Sequence, residues 1–265
     1  MKKVFLETFG CQMNVSDSER VASTLAAKGY QITKHKNEAD VVLINTCSVR
    51  EKAEQKLYTE IGRVRTKSSK KPIIGVMGCV AQLEGETLFD RTDGVDFVIG
   101  TRAVGRVADA IERVVDGERF YVDLGERETD YDWSVDESAR HSPYVAYVPI
   151  IEGCNKFCTY CIVPFSRGRE VSLSASEIIR TVLQLRREDV KEVHLIGQNV
   201  NSYRPANESG LENFAGKTPF SRLLRAVAAT GIERIKFNTS FPRDFHDDIV
   251  DAIEENPNLC NWVHL

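Results

Sequence analysis

Short apolar runs alternate with helical segments along most of the chain, and this alternation limits the possible folds most strongly. Runs such as residues 41–44 and 73–77 are apolar throughout, which is typical of strands buried on both faces of a parallel sheet. Between such runs lie segments with helical spacing, such as 16–28, which Gly29 ends. The alternation predicts an α/β fold whose N-terminal part is a doubly wound parallel sheet.

The predicted elements form two series. In the first series the strands span 4–8, 41–44, 73–77 and 97–99, and the helices span 16–28, 49–67 and 103–115. In the second series the strands span 144–151, 192–196, 234–238 and 261–265, and the helices span 175–188, 220–229 and 245–254. The second series resembles the opening of a (β/α) barrel. A closed barrel needs more units, so we expect the chain to be part of a longer protein.

The segment between the two series differs in composition. Residues 116–140 hold nine acidic side chains against three basic ones and show little periodicity, as linkers often do. We therefore predict an N-terminal domain over residues 1–117, a linker over 118–140 and a partial barrel over 141–265.

Composition excludes some classes of protein. No apolar run approaches the roughly 20 residues that a membrane span needs, and Glu7 interrupts the first apolar stretch too early for a secretory signal. We therefore expect a cytoplasmic protein with no membrane partner. The net charge of −4 argues against a basic surface overall, but residues 50–71 hold eight basic and three acidic side chains. This segment is either an RNA contact or a solvated helix face.

Seven cysteines in a cytoplasmic chain indicate metal binding or catalysis rather than disulfides. Cys154, Cys158 and Cys161 have the spacing C-x3-C-x2-C directly after a predicted strand. Three thiolates can hold three irons of a four-iron cluster and leave the fourth iron open for a ligand. A structural zinc site is the alternative, but zinc prefers four protein ligands, and this loop contains no histidine or fourth cysteine.

A second set of cysteines is dispersed along the sequence. Cys11, Cys47 and Cys79 each follow a predicted strand, and the carboxyl ends of parallel strands share one edge of a sheet. We therefore predict that these three side chains converge and hold a second cluster. The alternative is three separately buried thiols. Cys260 fits neither set and is interpreted as structural.

Four motifs carry a resemblance to a known family. They are TFGCQMN at 8–14, NTCSVR at 45–50, the pair Gly78 and Cys79, and EGCNKFCTYCIVPFSRGRE at 152–170. Together they resemble the methylthiotransferase family of radical-SAM enzymes, and GCQMN with GQNVNSY at 197–203 is similar to its MiaB-type branch. The family normally continues through further barrel strands into an RNA-binding TRAM domain, so the resemblance implies a chain that is truncated at its C-terminus.

The resemblance also implies an activity. MiaB-type enzymes are transferases that methylthiolate the adenine of isopentenyladenosine beside the tRNA anticodon, with S-adenosylmethionine as both radical source and methyl donor. The radical-SAM cluster (4Fe-4S type) would be held by Cys154, Cys158 and Cys161, and the auxiliary 4Fe-4S cluster by Cys11, Cys47 and Cys79. The implied partners are tRNA and a low-potential electron donor such as flavodoxin or ferredoxin, with the protein acting as a monomer.

Six further side chains are candidates for binding roles, and we predict no catalytic residue beyond the cluster ligands. The cofactor candidates are Phe157, Tyr160, Gln198 and Asn199, and the substrate candidates are Arg167 and Arg169. Core packing, turn capping and surface salt bridges are the structural alternatives. The alternative functions are methylthiolation of a ribosomal protein side chain and a non-catalytic metal-binding module.

Overall fold

The computed structural model of the chain describes residues 2–49, 51–67, 70–125 and 135–265. Arg50 of the predicted basic segment and residues 126–134 of the predicted linker lie outside these ranges. The backbone divides into two compact units. The first comprises Met1–Ala139 with Phe165–Arg167, and the second comprises Arg140–Pro164 with Gly168–Leu265.

The first unit is built on a parallel sheet of six strands in the order β2-β1-β3-β4-β5-β6. The strands are β1 (Lys3–Phe9), β2 (Gln31–Ile32), β3 (Val41–Thr46), β4 (Ile73–Gly78), β5 (Phe97–Ile99) and β6 (Tyr121–Asp123). The helices are α1 (Gln12–Ala27), α2 (Glu51–Lys67), α3 (Cys79–Glu84), α4 (Thr87–Arg91) and α5 (Val107–Val115).

Helices cover both faces of this sheet, and the central strand β3 shows how the sequence produces that arrangement. All six residues of β3 are buried, and successive side chains of a strand point to opposite faces. Val41 and Leu43 belong to a core shared with α1 and α5. Val42 and Ile44 belong to a second core shared with α2, α3 and α4. The predicted α/β class with a doubly wound parallel sheet is therefore confirmed.

The first unit differs from the sequence prediction in several features, among them the helices α3 and α4, which were not predicted. Helix α1 begins at Gln12, directly after Cys11, rather than at residue 16. Its first turns bury polar side chains such as Asn14 and Asp17, so apolar periodicity does not reveal them. The edge strand β2 was missed because both its residues are exposed. Strand β6 lies inside the segment predicted to be a linker and pairs with β5.

The second unit contains a three-stranded parallel sheet in the order β11-β10-β7 and a two-stranded antiparallel sheet of β8 and β9. The strands are β7 (Val145–Pro149), β8 (Ile151–Glu152), β9 (Val171–Ser172), β10 (Glu192–Ile196) and β11 (Arg234–Phe237). The helices are α6 (Val163–Ser166), α7 (Ala175–Arg187), α8 (Pro219–Ala229) and α9 (Asp247–Glu255). Phe220 of α8 meets Phe237 of β11 edge to face, with ring centroids 5.3 Å apart.

Two strand predictions in this unit are wrong: one strand is divided in two, and the other does not form. The predicted strand 144–151 is divided at Ile150, whose N–H still donates to the Ile196 carbonyl at 3.0 Å while the following β8 turns to pair with β9. The predicted strand 261–265 does not form. The chain meets β11 just before this segment, through a bridge between Leu259 and Ile235. Leu259 is buried but Trp262 is half exposed, so the segment has no continuous apolar face for a sheet to cover.

No helix within the described ranges is both long enough and apolar enough to cross a membrane.

Candidate functional site

Three neighbouring strands of the first sheet end in one row, and a cysteine follows each of them. Phe9, Thr46 and Gly78 are register partners at the ends of β1, β3 and β4. The cysteines that follow are Cys11 at the N-cap of α1, Cys47 after β3, and Cys79 as the first residue of α3. Because the strand order reverses between β1 and β3, this edge is the topological switch point, where open α/β sheets bind ligands.

The thiols at this edge influence one another electrostatically. A hydrogen bond from Cys47 is the main reason that the pKa of Cys11 is lowered to about 6, and the positive charge of Arg167 and the backbone N–H of Asn14 act in the same direction. The same hydrogen bond, with burial, raises the pKa of Cys47, and Cys79 also contributes to that rise. A thiolate is the form of cysteine that binds metals, and the start of a helix favours it.

A buried pair of asparagines holds the loops around these cysteines together. Asn14 Nδ2 donates to Asn45 Oδ1 at 2.8 Å, while Asn45 Nδ2 donates to the Asn14 carbonyl at 2.8 Å and to Ser18 Oγ at 3.0 Å. The loops approach so closely that a Cβ on Gly78 would lie 2.2 Å from Asn45 Oδ1, and a Cβ on Gly10 would lie 3.0 Å from that of Cys47. Both asparagines belong to the cysteine motifs, but spacing alone did not distinguish them.

Arg167 lies beside α1 in a buried ionic group. Its guanidinium is 2.7 Å from Asp17 Oδ2, and the other carboxylate oxygen of Asp17 accepts a hydrogen bond from Arg20. The exposed fractions of Arg167, Asp17 and Arg20 are 4%, 1% and 2%, so the whole group is buried. Arg169, in contrast, is exposed. The two arginines predicted to bind substrate therefore occupy different environments.

The second cysteine set occupies the loop between β8 and α6. Cys154 is buried, while Cys158 and Cys161 are half-buried. The Cys154 N–H donates to the Gly168 carbonyl at 3.2 Å, and the Cys161 N–H donates to the Cys158 carbonyl at 3.0 Å. Burial is the main cause that raises the pKa of Cys154, and Glu170 and the other two cysteines add to the rise.

The side chain of Gln198 fixes the start of this loop. Its Oε1 accepts a hydrogen bond from the Gly153 N–H at 2.5 Å, immediately before Cys154. Asn199 is buried and donates to Ser202 Oγ at 2.6 Å. Gln198 thus contacts the three-cysteine loop directly, whereas the Asn199 contact lies within the loop that follows β10.

The two aromatic candidates, Phe157 and Tyr160, project into solvent. Their exposed fractions are 64% and 93%, so neither is a core residue within the described chain. Phe157 also has a backbone φ of +47°, which costs an L-residue about 1–2 kcal/mol. Both rings are therefore accessible to solvent within the three-cysteine loop.

Both cysteine sets fit an iron–sulfur group by their chemistry. All seven cysteines of the chain are free thiols, each set contains three of them, and the Val49 N–H donates to Cys47 Sγ at 3.4 Å. Within the described residues, no three His, Cys, Asp or Glu side chains are already arranged to hold a single metal ion. A cluster of several irons spaces its ligands more widely than one ion does, so three thiols per set suit it better.

Two protein families match the two parts of the chain. Residues 3–100 match the family described as Uncharacterized protein family UPF0004, and residues 148–265 match the Radical SAM superfamily. The first match contains Cys11, Cys47 and Cys79, and the second contains the C-x3-C-x2-C loop.

Curated relatives match over the whole chain. A tRNA-2-methylthio-N(6)-dimethylallyladenosine synthase of Shewanella sp. (strain MR-4) is 44% identical over 100% of this chain and 55% of its own length. The protein of the same name from Koribacter versatilis (strain Ellin345) is 42% identical over 100% of this chain and 58% of its own length. The chain therefore spans a little more than half the length of these relatives.

Solved structures share the fold at low sequence identity. The radical S-adenosylmethionine methyltransferase TsrM from Kitasatospora setae, with cobalamin and a 4Fe-4S cluster bound, aligns with a TM-score of 0.62 at 11% identity and covers 95% of this chain and 58% of its own. The cobalamin-dependent S-adenosylmethionine radical enzyme OxsB aligns with a TM-score of 0.52 at 13% identity, over 96% of this chain and 42% of its own.

The fold, the three-cysteine loop and these matches define a radical SAM protein with an additional N-terminal α/β unit. The unit that precedes the loop carries its own three cysteines, and the relatives that match over the whole chain share a single name. The chain is thus similar, over its whole length, to the radical-SAM methylthiotransferase family.

Proposed function

We propose that the chain is the cluster-binding portion of an enzyme that methylthiolates the adenine of isopentenyladenosine beside the tRNA anticodon. The observation that carries this proposal is the presence of two three-cysteine sets, one at the switch point of the first sheet and one in the loop after β8. The relatives that match the whole chain are named for the same product.

Cys154, Cys158 and Cys161 would hold a 4Fe-4S cluster and leave one iron open for S-adenosylmethionine. Bound there, the cluster would supply the electron that cleaves S-adenosylmethionine into a radical, which can attack an aromatic C–H bond that acid–base chemistry cannot. Phe157 and Tyr160 would flank the adenine of this cofactor, and Gln198 and Asn199 would shape its pocket through the loop contacts described above.

Cys11, Cys47 and Cys79 would hold the auxiliary 4Fe-4S cluster, which carries the sulfur to be transferred. The lowered pKa of Cys11 supports this role, because a thiol that ionises readily loses its proton to solvent at little cost when its sulfur binds iron. Arg167 would keep positive charge close to this cluster, and the exposed Arg169 would contact tRNA phosphate.

The proposed domains are the auxiliary-cluster domain over residues 1–117, a connecting segment over 118–140, which also adds β6 to the first sheet, and the radical-SAM part over 141–265. The proposed partners are tRNA and a low-potential electron donor such as flavodoxin or ferredoxin. We propose that the protein acts in the cytoplasm, where both partners occur, and as a monomer.

The test is to reconstitute the protein with iron and sulfide without oxygen, and to incubate it with S-adenosylmethionine, a reductant and either tRNA or ribosomes. Two clusters predict about eight irons per chain and a methylthio adduct on adenosine by mass spectrometry. Cys260→Ala is the matched control, because Cys260 lies outside both sets. An adduct on a ribosomal protein instead, or zinc in place of iron, would contradict the proposal.

A further inference from the structure

Lys156 is a charged side chain in the three-cysteine loop that has no assigned role. It lies midway between Cys154 and Cys158. Its ammonium group forms an ion pair with the carboxylate of Asp244. The same ammonium lies over the ring of Phe241, 5.2 Å from the centroid. Both partners follow strand β11, more than eighty residues further along the chain.

Other side chains hold Asp244 in place. Ser202 Oγ donates to Asp244 Oδ2 at 2.8 Å, and Asn199 Nδ2 lies 3.4 Å from the same oxygen. The neighbouring Phe241 is fixed by Asn201, which accepts from its N–H at 2.8 Å and donates to its carbonyl at 2.9 Å. The carboxylate that meets Lys156 is therefore held by the loops that follow β10 and β11.

The ion pair is shielded from solvent. The side chains of Lys156 and Asp244 are 26% and 23% exposed, so the pair is less screened than the exposed ion pairs of the surface. Burial alone would raise the pKa of Asp244, but hydrogen bonds from Lys156 and Ser202 outweigh burial and hold it below its ordinary value. Asp244 is therefore charged at neutral pH.

The residue after Lys156 explains why this loop needs an anchor. Phe157 has a φ of +47° and a side chain that is 64% exposed. Surrounding contacts must maintain a backbone conformation of this kind in a residue other than glycine. Its own side chain can supply few such contacts because it is mostly solvated, whereas the preceding residue is fixed by Asp244 and Phe241.

We infer that Asp244 is a positioning residue for the radical-SAM cluster: by holding Lys156 it sets the backbone between Cys154 and Cys158 in the shape that encloses the cluster. This inference rests on the proposed function, since it assumes that the loop holds iron. A loop that is ordered before iron binds loses less conformational entropy on binding and retains its ligand longer.

The experiment measures the rate at which a chelator removes iron from the reconstituted chain. All variants carry Cys47→Ala, which removes a ligand of the auxiliary cluster, so that the iron measured is that of the three-cysteine loop. Asp244→Asn removes the charge and retains the shape, and Lys156→Met removes the other partner. Lys191→Met is the matched control, because Lys191 is ion-paired to Asp189 and Glu233 in the same unit but away from the loop. We expect release about five-fold faster from either loop variant, equivalent to about 1 kcal/mol, and no change in the control.

Three comparisons separate positioning from general loss of structure. The double variant Lys156→Met with Asp244→Asn should release iron no faster than either single variant, because both changes break the same contact. Asp244→Glu keeps the carboxylate and should release iron as slowly as the parent. The thermal midpoint of unfolding of each iron-free variant should match that of the iron-free parent.

Two results would overturn the inference and leave the proposed function intact. One is iron release from Asp244→Asn at the parental rate, and the other is a rate increase in the double variant that equals the product of the two single increases. A parent protein with an intact loop that takes up no iron would instead refute the proposed cluster, and the inference with it.

Discussion

Replacing Gly78 by alanine tests the close packing on which the dispersed cysteine site depends. Gly78 is buried directly before Cys79 and has a φ of +94°. A Cβ at this position would lie 2.2 Å from Asn45 Oδ1 and 2.8 Å from the Thr46 carbonyl oxygen. Asn45 cannot easily move because it makes hydrogen bonds to Asn14 and Ser18, and the Thr46 oxygen belongs to the central strand.

Gly29 offers a matched control for this substitution. Its φ is +85°, similar to that of Gly78, but a Cβ there would meet nothing within 4 Å. A positive φ costs alanine about 1–2 kcal/mol at Gly29. Gly78 has a φ of +94° and a ψ of −158°, a region almost exclusive to glycine, where the cost is about 1–3 kcal/mol. Crowding adds about 1–3 kcal/mol where the surroundings are tightly packed, so Gly78→Ala should destabilise the protein by about 2–6 kcal/mol and Gly29→Ala by about 1–2 kcal/mol.

The assay is urea denaturation of the iron-free chain followed by circular dichroism, with iron content measured after reconstitution. We expect Gly78→Ala to unfold at a lower urea concentration than Gly29→Ala and to lose the iron of the first unit while retaining that of the three-cysteine loop. Equal midpoints for the two variants, or full iron content in Gly78→Ala, would refute the packing argument.

Three further predictions concern the cysteines and the buried ionic group. Cys154→Ala should abolish reductive cleavage of S-adenosylmethionine and leave the iron of the first unit in place; deoxyadenosine formed by this variant would contradict the assignment. Cys47→Ala should retain cleavage but stop methylthio transfer, so normal modified tRNA from it would remove the second cluster from the mechanism. Asp17→Asn should lower stability by about 3–5 kcal/mol, because it breaks a buried ion pair, whereas Asp189→Asn, at an exposed pair with Lys191, should leave the denaturation midpoint unchanged.

The sequence was most informative where the chemistry of the site coincides with the ends of buried strands. Continuous apolar runs predicted the parallel strands, and a cysteine after each of three strands predicted where Cys11, Cys47 and Cys79 would be placed. In the structure the strands before these cysteines end in one row of the sheet. Parallel topology therefore connects positions that are far apart in sequence.

The sequence was least informative where polar groups are buried or strands lie at an edge. The first turns of α1 bury Asn14 and Asp17, so their role could not be seen from hydrophobic periodicity. Strand β6 has half-buried residues and lies in an acidic segment, which made it resemble a linker. The ion pair between Lys156 and Asp244 joins distant loops, and no local pattern encodes such a contact.

Mass spectrometry of tRNA nucleosides from cells that lack the gene for this protein tests the proposed function most directly. We expect the 2-methylthio form of isopentenyladenosine to disappear and unmethylthiolated isopentenyladenosine to accumulate in its place. The gene carrying Cys260→Ala should restore the modification, and the gene carrying Cys158→Ala should not. An unchanged nucleoside profile in the deletion strain would contradict the proposed function.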